Sequence, residues 1–230
     1  ARVLTRAVDR ARSARLVTCP SVTVANELVG IGFDRDRIRV IPWGVDPHDT
    51  SDSLIDRARA THTLPERYVL AVGTLEPRKN LRRLIAAMEN VDLPLVVAGA
   101  DGWGGIAREL ADSADVRFLG HVDPADLPAI YAGAELLAYP SEDEGFGLPV
   151  LEAMSAGTPV VTSRGTATED VAGGAAVLVD PYDTASITAG ITEALVDRDR
   201  LIELGRHRAA EHTWAATATA TAAVYREALG

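Results

Sequence analysis

From residue 68 onward, short apolar runs alternate with stretches whose apolar residues recur three and four positions apart. The runs fall at 68–72, 94–98, 116–119, 135–138, 159–162 and 176–179. Strands that are largely apolar and separated by helices indicate a parallel sheet covered on both faces. The stretches between them carry helix signals of their own. Asn80 is placed to cap a helix that turns Leu81, Leu84, Ile85 and Met88 to one side. Asp123 and Pro124 are expected to open the next, with Leu127, Ile130 and Tyr131 inward. Pro149 suits a first helical position and Gly157 the residue just past that helix's end. Asp183 is placed to cap a helix bearing Ile187, Ile191 and Leu195, and a last helix follows Trp214. The pattern predicts an α/β unit with a doubly wound, Rossmann-like parallel sheet. In such units ligands bind beyond the carboxyl ends of the strands.

Residues 1–45 follow a shorter pattern: helix, strand at 16–19, helix at 21–29, strand at 38–41. Two strands do not close a core of their own, so this part reads as the tail end of a preceding α/β domain. The chain opens on Ala1 in mid-pattern, which reads as a fragment. The expected organisation is therefore 1–45 as that tail, 46–66 as a polar linker, 67–212 as the ligand-binding domain, and 213–230 as a helix packing back toward the first part.

Composition narrows the partners. A net charge of −10 is not the basic footprint of a nucleic-acid binder. It still leaves room for a phosphate ligand held by a few local cations and a helix N-terminus. The single cysteine, Cys19, sits in an apolar run and reads as a buried, inert thiol. No stretch reaches the ~18 apolar residues that a membrane span needs, and no signal peptide is visible. Arg2, Arg6 and Arg10 recur at helical spacing; this leaves membrane contact open beside the plainer reading of a solvated face.

Candidate chemistry gathers in loops at strand ends. The run Gly73-Thr74-Leu75-Glu76-Pro77-Arg78-Lys79-Asn80 sets two cations directly before a helix, an arrangement suited to a diphosphate. The run Ser141-Glu142-Asp143-Glu144-Gly145-Phe146-Gly147-Leu148-Pro149 opens another helix, and its glycines permit close backbone approach. Glu142 and Asp143 are expected to be ordinary surface acids. Glu152, eight residues after Glu144, would lie one turn into the helix and face the same pocket, where carboxylates accept hydrogen bonds from sugar hydroxyls. A competing signal is Gly102-Trp103-Gly104-Gly105-Ile106-Ala107, a loose dinucleotide fingerprint with Asp123 downstream. It would make the chain an NAD-dependent oxidoreductase, but it follows the second strand rather than the first. The Asp-Arg-Asp strings at 34–36 and 197–199 read as surface charge rather than metal ligands. His48, His62, His121, His207 and His212 show no ligand-like grouping.

Taken in order, these loops resemble glycosyltransferase family 4, the retaining enzymes of two-domain GT-B fold, and specifically their C-terminal, donor-binding half. Glu144 through Glu152 matches that family's glutamate, seven residues, glutamate motif with its Gly-Phe-Gly-Leu-Pro interior. Glu76-Pro77-Arg78-Lys79-Asn80 is similar to its phosphate loop. Pro20-Ser21, Ile41-Pro42-Trp43-Gly44-Val45-Asp46, Phe118-Leu119-Gly120-His121-Val122 and Pro140-Ser141 also fit, with Trp43 in place of a frequent Asn. The resemblance implies transfer of a hexose, mannose among the candidates, from a GDP- or UDP-type sugar to a glycan, lipid or small-molecule acceptor. It implies no cofactor and no metal. Arg78, Lys79 and Glu144 would be the catalytic residues. Donor binding would fall to these three with Gly73, Thr74, Val122, Gly145, Phe146, Gly147, Leu148 and Glu152. Arg78 and Lys79 would take the diphosphate, Glu144 the sugar hydroxyls, Glu152 the ribose and Val122 the base. The enzyme would be cytoplasmic, peripheral binding at the inner membrane face being open. The acceptor would bind chiefly to the missing N-terminal domain, leaving this part weakly active or inactive alone. The alternative within the same likeness is a non-catalytic nucleotide-sugar-binding module.

Overall fold

The computed structural model describes residues 8–47, 50–110 and 115–230; Arg2, Arg6 and His48 lie outside them. A first pair of parallel strands, β1 (Val17–Cys19) and β2 (Ile38–Val40), is joined by helix α1 (Val22–Gly30). Ser21 caps that helix by accepting the amide of Val24. Cys19, Ala25, Phe33 and Ile38 form a small core there. Burial pushes the Cys19 thiol's pKa up, as expected of an inert cysteine.

The main sheet consists of β3 (Val69–Val72), β4 (Leu95–Ala98), β5 (Val116–Gly120), β6 (Leu136–Tyr139), β7 (Val160–Ser163) and β8 (Val177–Val179). All its pairings are parallel, in the order β5-β4-β3-β6-β7-β8. The unbroken apolar runs are explained by what covers them. Leu70, Val96 and Leu137 belong to a core shared with Val150, Leu151 and Met154. Their neighbours Val69, Val97 and Leu136 point into a second core with Leu84, Ile187 and Ile191. The central strands β3, β4, β6 and β7 thus bury both faces, while the edge strand β5 is only partly covered, and each fully buried aliphatic side chain contributes roughly 1.5–3 kcal/mol before entropy is counted.

The helices are α2 (Asp52–His62), α3 (Leu81–Met88), α4 (Ile106–Leu110), α5 (Leu127–Ala132), α6 (Leu148–Ser155), α7 (Ala167–Ala172), α8 (Thr184–Val196), α9 (Arg198–Ala210) and α10 (Trp214–Leu229). Asp183 caps α8 as expected, accepting from the amide of Ala185 at 2.9 Å. Two other starts differ from the sequence reading. The helix assigned to Asp123 and Pro124 begins only at Leu127, because the Asp123 carboxylate closes a turn on the amide of Ala125. Asn80 precedes α3 in a left-handed conformation, φ 59°, and makes no side-chain cap; its amide is committed elsewhere. The stretch read as linker, 46–66, contains the 11-residue helix α2. Ala58 of α2 is buried, and His62 at its end meets Asp126 at 3.0 Å beside α5.

The first strand pair and the segment after it are tied to the C-terminal end of the chain. Val45 donates its amide to His212 O at 2.9 Å, and Thr217 of α10 donates to Pro42 O at 2.8 Å. Arg39 pairs with Glu227, and Arg15 reaches the carbonyl of Ala228 at 2.8 Å. Among the described residues no helix is long and apolar enough to cross a membrane.

Candidate active site

The strand order reverses direction between β3 and β6, the only place in such a sheet where two adjacent strands send their following helices to opposite faces. The loops leaving these two strands are the two that carry the cations and the acids. They are tied through the backbone, Glu142 N donating to Arg78 O at 2.8 Å.

Their side chains converge on Glu144, which is buried. Lys79 Nζ donates to Glu144 Oε1 at 2.6 Å, and Arg78 Nη1 to Glu144 Oε2 at 2.8 Å. Arg78 Nε also meets Glu76 Oε2 at 2.9 Å. Tyr139, the last residue of β6, donates its hydroxyl to Glu144 Oε1 at 2.9 Å and accepts from Lys79 Nζ. The ammonium also lies 4.6 Å from the centroid of the Tyr139 ring. Burial lowers the Lys79 pKa, outweighing the pull of Glu144 in the other direction. Burial alone would raise the Glu144 carboxyl; Lys79, the Tyr139 hydroxyl and Arg78 together hold it below its ordinary value. Burial and the Glu144 charge both push the Tyr139 phenol well up, so it stays a neutral hydrogen-bond donor.

These shifts fix a sign. A carboxyl depressed in the folded state adds stability that is present above the ordinary carboxylate range and lost as pH falls through the depressed value. Glu144→Gln is therefore expected to cost about 2 kcal/mol at pH 7, since one partner of a buried ion cluster is neutralised. The gap to the unsubstituted protein should narrow steadily below about pH 4. Urea unfolding at pH 7 and at acid pH checks this; a gap that does not change with pH contradicts it.

Asn80 holds the two loops in register. Its Nδ2 donates to Pro140 O at 3.0 Å and Pro181 O at 2.6 Å, while its Oδ1 accepts from Arg83 at 2.9 Å. Asn80→Ala removes these bonds and places alanine at positive φ, for an expected loss of about 3 kcal/mol. Asn80→Gly should recover about 1 kcal/mol of it, the backbone share, in the same denaturation measurement.

The second loop is equally constrained. Gly147 precedes α6 at φ 97°, and a Cβ there would sit 2.6 Å from Thr168 Cγ2. No side chain caps α6; Pro149 has no amide hydrogen and the Val150 amide donates to Gly147 O at 3.0 Å, which leaves the Leu148 amide at the helix start for a ligand. Ser21 donates to Gly145 O at 2.9 Å, and the ring of Trp43 lies 5.5 Å from that of Phe146. Leu148 opens α6 and is partly buried.

Gly73, Arg78, Lys79 and Glu144 come together, whereas Glu152 does not join their cluster; it accepts the Tyr131 hydroxyl at 2.8 Å. Val122 is buried just beyond β5, and Thr74 is exposed. Glu142 is not the free surface acid that the sequence suggests, because it pairs with Arg83 at 2.5 Å; Asp143 is exposed. Tyr139 and Glu76 were not singled out by the sequence. The only sign of Tyr139 was a hydroxyl-bearing ring at the end of a buried strand, which needs a polar partner there.

The competing Gly102–Ala107 string serves another purpose. It leads into α4, of which 5 residues are described, and a Cβ on Gly102 would meet Leu75 O at 2.7 Å. These glycines let the loop after β4 lie against the loop after β3. The Asp-Arg-Asp strings are spent on local bonds, Asp34 to the amide of Asp36 and Asp197 to Arg200.

Residues 53–209 match the family model described as glycosyl transferases group 1. The chain belongs to this family. Residues 1–49 match the model described as glycosyltransferase family 4. The six-stranded unit is the Rossmann-like domain of the GT-B fold, which sets the NAD-dependent oxidoreductase reading aside. The chain is 38% identical, over 69% of its length and 45% of the relative's, to an O-antigen chain mannosyltransferase B of Escherichia coli. It is 35% identical, over its whole length and 58% of the relative's, to a D-inositol 3-phosphate glycosyltransferase of Salinispora arenicola. The chain thus spans about half the length of the curated relatives it matches. Among solved structures, a sucrose-phosphate synthase from Thermosynechococcus elongatus superposes with a TM-score of 0.80 at 27% identity, covering 97% of this chain and 61% of that one. The Anabaena protein HepE, solved in complex with UDP and glucose, superposes at 0.85 with 22% identity, covering 97% and 66%; at that identity it shows the fold alone.

Proposed function

We propose that this glycosyltransferase binds a nucleotide-diphosphate hexose at the junction of β3 and β6 and forms the donor half of a retaining hexosyltransferase. The observation that carries this reading is the ion cluster itself. Arg78 and Lys79 meet a carboxylate at the sheet's switch point, where a diphosphate oxygen would replace it. On this reading the two cations hold the donor diphosphate and stabilise it as it departs. Glu144, released from them, takes hydroxyls of the transferred sugar rather than acting as a covalent nucleophile. Amides of Phe146, Gly147 and Leu148 hold sugar or phosphate oxygens at the uncapped start of α6. Gly73 and Thr74 line the approach, Gly145 keeps the second loop open, Glu152 binds the ribose and Val122 lies against the base. No step requires a metal.

A GDP- or UDP-type donor and mannose are the first candidates, mannose because one relative is named for its transfer. The acceptor, a glycan, lipid or small-molecule hydroxyl, would be held across the cleft by a separate acceptor domain, with 1–45 as the tail of that domain, 46–66 as its connection, 67–212 as the donor domain and 213–230 returning toward it. Donor binding then belongs to this chain alone, and transfer does not. Calorimetric titration with GDP, UDP, ADP and NAD, without divalent metal, tests the reading. Binding of one nucleoside diphosphate, lost in the Lys79→Ala, Glu152→Ala double variant, is the expected result. Binding of NAD alone, or of none of the four, would overturn it.

A further inference from the structure

Glu144 poses a problem that the donor-site reading leaves open. The carboxylate is buried, and its partners are Lys79 and Arg78 from the loop after β3 and Tyr139 from β6, with Glu76 behind Arg78. A diphosphate that draws both cations away strips Glu144 of both ion pairs at once. A buried carboxylate without a partner is unfavourable, and it responds by taking up a proton. Only one of its three partners carries no charge and so is not drawn off by the ligand's net charge: the Tyr139 hydroxyl.

We propose, on the basis of the donor-site reading above, that Tyr139 is a positioning residue for the exchange, its hydroxyl keeping Glu144 partnered and ionised while Lys79 and Arg78 turn to the diphosphate. The geometry suits this task. The phenol donates to Oε1, the same oxygen that Lys79 vacates, and it sits at the end of a buried strand with little freedom to follow the ammonium. It also guides Lys79, whose ammonium rests both on the hydroxyl and over the ring, so the cation leaves Glu144 without leaving Tyr139. Tyr139 touches neither sugar nor phosphate in this account; it acts through Glu144.

The test is a double-mutant cycle of Tyr139→Phe and Glu144→Gln in this chain, titrated with GDP and UDP at several pH values and in buffers of different ionisation enthalpy. Phenylalanine fills the same buried space, and thermal unfolding of all four proteins verifies that the fold holds. Tyr139→Phe is expected to weaken binding about 10-fold at pH 7.5. It should also add proton uptake beyond that of the unsubstituted protein, which shares the ligand's own titration. In the Glu144→Gln background, where no charge needs support, the same change should alter affinity less than about 2-fold. Unchanged affinity for Tyr139→Phe, or an equal loss in both backgrounds, overturns the proposal, because the hydroxyl would then act through packing or Lys79 alone. Failure of the unsubstituted protein to bind GDP, UDP or, in the titration above, ADP is a distinct outcome, which overturns the donor-site reading and this proposal with it.

Discussion

Lys79→Ala is expected to lower affinity for a nucleoside diphosphate by about 100-fold, the largest loss of any single side chain in the loop after β3. The side chain is 10% exposed against 40% for Arg78, so its charge is screened far less by water. Arg78→Ala should accordingly cost only about 10-fold. Lys79→Arg is not a conservative rescue. The lysine stem runs beneath Gly73, where even a Cβ would lie 2.9 Å from Lys79 Cε, and a planar guanidinium has no room to turn there. Fold loss does not confound the result, because Glu144 retains Arg78 and Tyr139 when Lys79 is removed. Titration calorimetry on the three variants, with thermal unfolding alongside, checks the ranking. Equal losses for Arg78 and Lys79, or full binding by Lys79→Ala, would show that the diphosphate does not sit on the buried cation.

Strand existence was legible because burial on both faces leaves a signature in the residues themselves: Leu95 to Ala98 has no polar position to lose. Helix ends were legible where a short side chain reaches its own amides, as at Asp183. What the sequence did not show depends on distance. Glu144 and Lys79 are 65 residues apart, and their meeting follows from β3 and β6 being neighbours, which the order of runs along the chain does not determine. Asn80 has the composition of a cap, yet its amide is claimed by the carbonyls of Pro140 and Pro181, both on later loops. Helix α2 was hidden by its own chemistry: Ala58 is its one buried residue, and beside it only Leu54, Ile55 and Ala60 are apolar in a run of charged and hydroxyl residues that reads as linker. The site residues were therefore readable as two separate loops, while the cluster they form, and Tyr139 at its centre, needed the sheet.

Gly99→Ala tests that dependence on the sheet from outside the site. Gly99 lies directly after β4, where a Cβ would stand 2.5 Å from the carbonyl carbon of Gly73 and nearer still to its oxygen. Both neighbours are backbone, so no rotamer change relieves the overlap; the two strand ends must part. Parting them breaks the bond from Gly73 N to Ala98 O, 2.9 Å, and the bond from Leu75 N to Ala100 O, 3.0 Å, which hold the cation loop against β4. The expected loss is about 3 kcal/mol or more by denaturant unfolding, at the upper end for a single added methyl because the strain falls on main chain. Affinity should fall too, although Gly99 touches no residue of the ion cluster, since Gly73 and the turn bearing Lys79 move together. A variant that loses stability but keeps nucleotide affinity would mean that the cation loop takes its shape from Asn80 and β6 alone. One that keeps both would mean that the strand ends part without cost, contrary to the close packing seen between them.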